Sequence, residues 1–447
     1  MRPIALTLIC IAVTILGACG NDATSPEPDE VACKGATPDA QIPLPLAPSS
    51  DRVDLDTRSF STPGNVSNSL FPISELHSTV LLGTVDGLPF RTETTLLNFT
   101  KTINLGDEEI EVLVSQYMAL LDGRIEEVAL DWYGQADDGS VYYFGEDVFN
   151  YENGVLADTD GTWVTCEDGP AAMIMPSNPQ IGDVYRPENA YPIVFEEVVV
   201  KLVGQTVNGP RGPVAGAIIV EELHMDGTRE DKTFAPGYGE FFTGSGGDVE
   251  AIALAVPTDA LAGPPPSNLI AVSDGAYSVF DAADDGDWGG AATTMGSMNT
   301  AWNAYTASGV PPLLETQMDD ALAQLDDAIT ATDAVAARHA ALDVALAAAD
   351  FELRYRPREE IDYVRLDLWA RRLQVDTEAN DLDGIASDVT ILEWVYDRVA
   401  PAPAEEAVAP IATAIARAKT EANRSDRAGI MRAADDIRRG VSKRIAR

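Results

Sequence analysis

Apolar and polar residues alternate along the first half of the chain and then shift to a helical period. Between about residue 51 and Pro257 the apolar positions come in short runs with strand character. The clearest are Ile110 to Leu121, Glu126 to Gln135 and Ser140 to Glu146, rich in Val, Tyr, Trp and Leu. Asp137-Asp138-Gly139 and Asn153-Gly154 separate such runs, and glycine there accepts the positive φ of a tight hairpin turn. Further runs lie at Ile193 to Val207, Ala215 to His224, Thr233 to Thr243 and Val249 to Val256. The pattern predicts an all-β antiparallel meander, a sandwich or a half-barrel over one apolar face.

Gly263-Pro264-Pro265-Pro266 stops that pattern, and helical spacing follows it. Leu382, Ile385, Val389, Leu392, Tyr396 and Val399 advance in alternating steps of three and four, the stripe of a helix buried on one face. Met318, Leu322, Leu325 and Ile329 repeat the spacing, as do Ile430, Ala434, Ile437, Val441 and Ile445. Prolines recur at Pro266, Pro312, Pro357 and Pro401. Short polar breaks lie between them, at Asp284 to Asp287, Thr332-Asp333 and Asn380-Asp381, with a last one at Asn423 to Asp426. Proline suits the first turn of a helix, and Asp, Asn, Ser and Thr suit its N-cap. The spacing predicts an all-α part of about four αα-hairpins, as a helical bundle or a repeat array. The chain therefore divides into residues 1–18, a Pro-rich flexible tether over 19–50, a β domain over 51–263 and an α-helical domain over 264–447.

Residues 1–18 carry Arg2 and the apolar run Ile4 to Leu16, the layout of an export signal. The run is shorter than the roughly 20 residues needed to span a bilayer. It ends in Leu16-Gly17-Ala18-Cys19, which resembles a bacterial lipobox. That resemblance implies cleavage before Cys19, acylation of its sulfur and new amino terminus, and a membrane as partner. Gly20, in place of Asp, resembles the default class sent to the outer membrane where the envelope is Gram-negative. With Cys10 in the signal and Cys19 acylated, Cys33 and Cys166 remain, either as a disulfide or as two separate thiols.

The β part resembles an uncharacterised domain of bacterial secreted proteins and lipoproteins. The resemblance rests on DWYGQADDGSVYYFGED from Asp131, YENG from Tyr151, GTW from Gly161, IMPSNPQIGDVYRPE from Ile174 and FAPGYGEFF from Phe234. The segments FELRYRPREEIDYVRLDLWARRLQVD from Phe351 and DVTILEWVYDR from Asp388 are similar to a helical module of uncharacterised bacterial lipoproteins. Both resemblances imply an envelope location and neither implies a catalytic residue. A looser likeness to four-helix haem bundles would place Met318 as a ligand. The final helix has no histidine and the chain has no CxxCH, so no cofactor is expected.

Composition narrows the function further. The chain has 447 residues, 72 acidic against 30 basic side chains, and a formal net charge of −42. Nucleic acid is excluded as a partner, because its binding requires a positive footprint. The basic residues are mostly Arg and concentrate at the end, where residues 417–447 carry ten Lys or Arg against four Asp or Glu. Such a segment either contacts an anionic surface or neutralises its own acidic neighbours.

Only His77, His224 and His339 are present. His339 and Asp343 share a helix face at i and i+4 and would supply two metal ligands, or a structural His/Asp pair. The stretch Asp281 to Asp287 matches a calcium loop at too few positions, since Ala283 and Ala292 fall where ligands are needed. Thr243 to Gly247 is glycine-rich but precedes a strand, so it is a turn and no phosphate loop. Trp132, Tyr133, Tyr143 and Trp163 either line a ligand cavity or fill the sheet's core. The expectation is a non-enzymatic, lipid-anchored envelope protein that binds a protein or small-molecule partner. The alternatives are a carrier for a hydrophobic molecule and a metal-binding helical bundle.

Overall fold

The computed structural model describes residues 33–445 apart from 246–247 and 401–408. Residues 1–18, read from the sequence as an export signal, lie outside the described residues, as do Cys19 and Pro401. All strands but two short ones form one antiparallel path built from two meanders. The first runs β1 (Ser78–Val85), β2 (Leu88–Leu105), β3 (Glu108–Leu121), β4 (Arg124–Gln135), β5 (Val141–Glu152) and β6 (Val155–Asp158). The short strands β7 (Trp163–Val164) and β8 (Ala172–Met175) both pair with β5. The second runs β9 (Val184–Ala190), β10 (Val194–Gly209), β11 (Gly212–His224), β12 (Arg229–Ala235), β13 (Gly239–Ser245) and β14 (Asp248–Val256). The meanders join where β1 pairs with β14, Ser78 opposite Val256. At the far end β9 returns beside β8 and β5, so the sheet curls round an interior.

Eight helices follow in four hairpins: α1 (Ser267–Asp285), α2 (Trp288–Thr306), α3 (Pro312–Ala331), α4 (Ala334–Glu352), α5 (Arg358–Ala379), α6 (Leu382–Val399), α7 (Ala409–Asn423) and α8 (Arg427–Ile445). Each hairpin turns through a residue with positive φ followed by an aspartate: Gly286-Asp287, Thr332-Asp333, Asn380-Asp381 and Ser425-Asp426. The left-handed residue ends one helix, and the aspartate carboxylate accepts the backbone N–H three residues on, starting the next. Pro266 and Pro357 precede α1 and α5, and Pro312 opens α3. α1 packs on both α2 and α4, and α5 on both α6 and α8. The hairpins therefore close into two four-helix bundles joined through α4 and α5, and no open array forms.

The boundary near residue 263 divides the chain but not the packing. Val80, Leu254 and Val256 of the sheet enter one core with α1–α4, and Met118, Leu120, Ile125 and Val128 enter another with α5–α8. Buried charges tie the same junction. Arg91 of β2 meets Asp350 of α4, Arg365 of α5 meets Asp350 and Asp362, and Arg398 of α6 meets Glu93 of β2 at 2.5 Å. Burial pushes the Glu93 carboxyl up, but the charges of Arg365, Arg91 and Arg398 outweigh it and hold the group well below the usual range.

Residues 33–50 are not a free tether. Ile42 is buried, Asp39 pairs with Arg186 at 2.8 Å, and the Ala47 N–H donates to Glu197 at 2.7 Å. Cys33 and Cys166 form a disulfide. A proline-rich composition that cannot fold alone is held here by a covalent bond and by two buried charges of β9 and β10 that need a cover. Just beyond this segment the Val53 N–H donates to the Val184 carbonyl of β9, which shields that edge strand from pairing elsewhere.

Candidate functional site

The curled sheet holds a cavity of about 320 Å³. Its walls follow from strand alternation. On β11 the inward residues are Ile218, Val220 and Glu222, and on β12 they are Glu230, Lys232 and Phe234. Glu196 comes from β10, Glu240 from β13 and Glu250 from β14, while Asp131, Tyr133 and Tyr117 face them from β4 and β3. Six carboxylates thus line the space, and Lys232 is the one basic side chain among the described lining residues.

Too few cations are present to neutralise the carboxylates, and this sets their protonation. Burial pushes Asp131 up to about 7, although the Tyr143 hydroxyl donates to it at 2.7 Å. Burial likewise raises Glu222 and Glu250 to about 7, with repulsion from neighbouring glutamates adding to it. Thr92 donates to Glu250 from β2. Burial would lower Lys232, but the charges of Glu222, Glu240 and Glu196 hold it well above its usual value. Its Nζ lies 3.0 Å from Glu222 and 3.9 Å from Glu240.

At one end of the cavity His224, the last residue of β11, lies opposite Glu196. Its Nδ1 is 2.9 Å from Glu196 Oε1 and its Nε2 is 3.7 Å from Glu230. The Glu196 contact raises the imidazole above its ordinary value. Burial pushes Glu196 up, but the hydrogen bond to His224 and the Lys232 charge outweigh it and keep the carboxyl low.

The residues singled out in the sequence fall differently. Trp132 and Trp163 are packed in the core and do not line the cavity. Tyr133 does line it, and Tyr143 stacks on Tyr133 at 4.9 Å and reaches the cavity through Asp131. His339 and Asp343 do not act together. His339 lies 2.8 Å from Asp376 on α5, and Asp343 pairs with Arg372 at 2.7 Å, because packing of α4 on α5 supplies partners from the next helix. Asp287 caps α2, so the Asp281–Asp287 stretch is a helix end and a turn. In the basic last hairpin Arg417 pairs with Asp436, Arg438 with Asp367 and Lys419 with Glu393, which fits neutralisation within the bundle.

The cavity glutamates escape sequence reasoning because charged residues alternating along a strand read as its solvent side. Their signal was the pair Glu222-x-His224 and Glu230-x-Lys232, which continues the inward series of Val220 and Phe234.

A second concavity, of about 790 Å³, lies between the β5–β6 hairpin and α6, α7 and α8. It is mainly apolar: Leu156 and Leu382 are exposed on it, and Trp394 closes one wall, donating from Nε1 to the Tyr151 hydroxyl at 2.8 Å. No helix among the described residues is long and apolar enough to cross a membrane. No family model matches the chain, and neither a curated protein nor a solved structure shows significant similarity to it.

Proposed function

We propose that the chain is an exported envelope protein, lipid-anchored at Cys19, that acts by binding, and that the ligand held inside its curled sheet is a small organic cation of the amine class. The observation that carries this reading is the wall of six carboxylates facing one lysine in a cavity of about 320 Å³. An ammonium ligand would supply the missing positive charge and allow Asp131 and Glu250 to ionise. Tyr117, Tyr133, Phe71 and Phe234 provide aromatic surface on the same walls, and ring faces attract desolvated ammonium groups. A hydrophobic cargo fits this interior poorly, since it would leave the carboxylates without a partner.

Isothermal titration of the full chain with 1,5-diaminopentane and with the neutral 1,5-pentanediol tests the reading. The diamine should bind at least about tenfold more tightly, and Asp131→Asn with Glu250→Gln should weaken it by about as much again. Equal behaviour of the two compounds, or no diamine binding at millimolar concentration, would remove the amine reading. A second reading, transport of an apolar molecule, is supported by the groove beside Trp394 and not by the cavity.

A further inference from the structure

At the edge of the cavity two of its wall carboxylates, Glu196 and Glu222, meet an imidazole. Glu196, Glu222 and His224 each present one ligand atom, and the three atoms lie within 4.8 Å of one another. Among the described residues no other group of three or more such side chains converges in this way. Strand register fixes the arrangement, with Glu196 opposite His224 and Glu222 two residues before it on the same face.

Two further features bear on the site. Glu222 is 3% exposed and lines the cavity, and the partner of its Oε2 is the Lys232 ammonium. Lys232 lies 3.0 Å from that oxygen, and Glu240 at 3.9 Å gives the ammonium a second carboxylate to move to when an ion takes its place. The His224 Nδ1 lies 2.9 Å from Glu196, while Glu230 stands 3.7 Å from Nε2, beyond hydrogen-bond reach. With an ion on Nδ1, a small approach of Glu230 to Nε2 would orient the imidazole and raise its basicity.

We infer that Glu196, Glu222 and His224 form a site for one divalent metal ion of the zinc class. The imidazole nitrogen favours such ions over Ca²⁺ and Mg²⁺, which take oxygen ligands. Three protein ligands leave a fourth position for water or for a donor atom of a molecule in the cavity. Glu196 and Glu222 also belong to the cavity wall, so the site adjoins the one proposed for the amine, and only His224 lies off the lining.

The test uses the full chain, stripped with a chelator and dialysed against Zn²⁺ in the presence of excess Mg²⁺ and Ca²⁺, with bound metal counted by mass spectrometry. One equivalent of Zn²⁺ is expected, with His224→Ala and Glu222→Gln each lowering its affinity at least about tenfold. Lys232→Met, which removes the competing cation, should raise the affinity. Co²⁺ in place of Zn²⁺ should give visible absorption that His224→Ala abolishes. Thermal melting of each variant without metal separates a lost site from a lost fold. Absence of stoichiometric uptake, or uptake that His224→Ala leaves unchanged, overturns the inference. Diamine titration of His224→Ala keeps the two readings apart: retained amine binding with lost Zn²⁺ supports both, and amine binding by a parent chain that takes up no Zn²⁺ overturns the metal alone.

Discussion

Arg91 on β2 and Asp350 on α4 meet through two parallel hydrogen bonds of 2.7 and 2.9 Å, both side chains buried. The pair spans the junction of sheet and helices, and Asp350 also accepts from Arg365. Losing one partner of a buried pair leaves a charge that water cannot reach, which costs about 3–5 kcal/mol. Asp350→Asn leaves two guanidinium groups short of an anion, whereas Arg91→Met leaves Asp350 with Arg365. Urea denaturation should therefore show Asp350→Asn as the more damaging change. A loss below about 1 kcal/mol, typical of exposed pairs, would mean the junction is held by apolar packing alone.

The hairpin caps make a graded prediction. Asp333→Ala removes one carboxylate from the start of α4 and should cost about 1 kcal/mol. Asp381→Ala removes the same cap from α6 and also the 2.5 Å contact from Arg124 of β4. It should cost more, and a cycle with Arg124→Ala should assign the excess to that contact.

The cavity carboxylates set a pH dependence. Asp131 ionises at 3.8 in an open chain and at about 7 when folded, so between those values the folded protein holds a proton that the unfolded chain has released. Stability then falls as pH rises through this window and levels off above it. Glu250, raised from 4.5 to about 7, adds a contribution of the same sign. Asp131→Asn keeps an acceptor for Tyr143 and cannot ionise. It should flatten the pH profile of the denaturation midpoint between pH 5 and 7 and be more stable than the parent above 7. A profile identical to the parent's would show that Asp131 remains ionised throughout.

The disulfide closes a long loop, with Cys33 and Cys166 separated by 133 positions. Chain-entropy arguments put the stabilisation from a loop of that length at up to about 5 kcal/mol. Cys33→Ser with Cys166→Ser should lower the denaturation midpoint and expose residues 33–50 to protease before the sheet is cut. Simultaneous cleavage of both would show that Asp39 and Ala47 hold the segment without the bond.

Local features carried most of the architecture in the sequence. The four breaks ending in Asp287, Asp333, Asp381 and Asp426 mark every hairpin turn, because an N-cap is decided by a few neighbouring residues. Bundle closure was not legible, since the stripe of α5 does not say whether α6 alone or also α8 lies against it. The cavity was hidden for a related reason. Alternation on β11 and β12 separates two faces but does not say which is wet, and only the curl of the sheet turns Glu222 and Glu230 inward. His339 shows the same limit: its i+4 neighbour Asp343 is visible in the sequence, while its actual partner Asp376 belongs to another helix.

The disulfide at Cys33 bears on the anchoring proposed above. If Cys19 carries lipid, fourteen residue steps separate it from Cys33, a contour of about 50 Å at most. Breaking the Cys33–Cys166 bond and freeing residues 33–50 would roughly double that reach. Oxidation at this one position would thus govern how far from the lipid surface the cavity is able to sample.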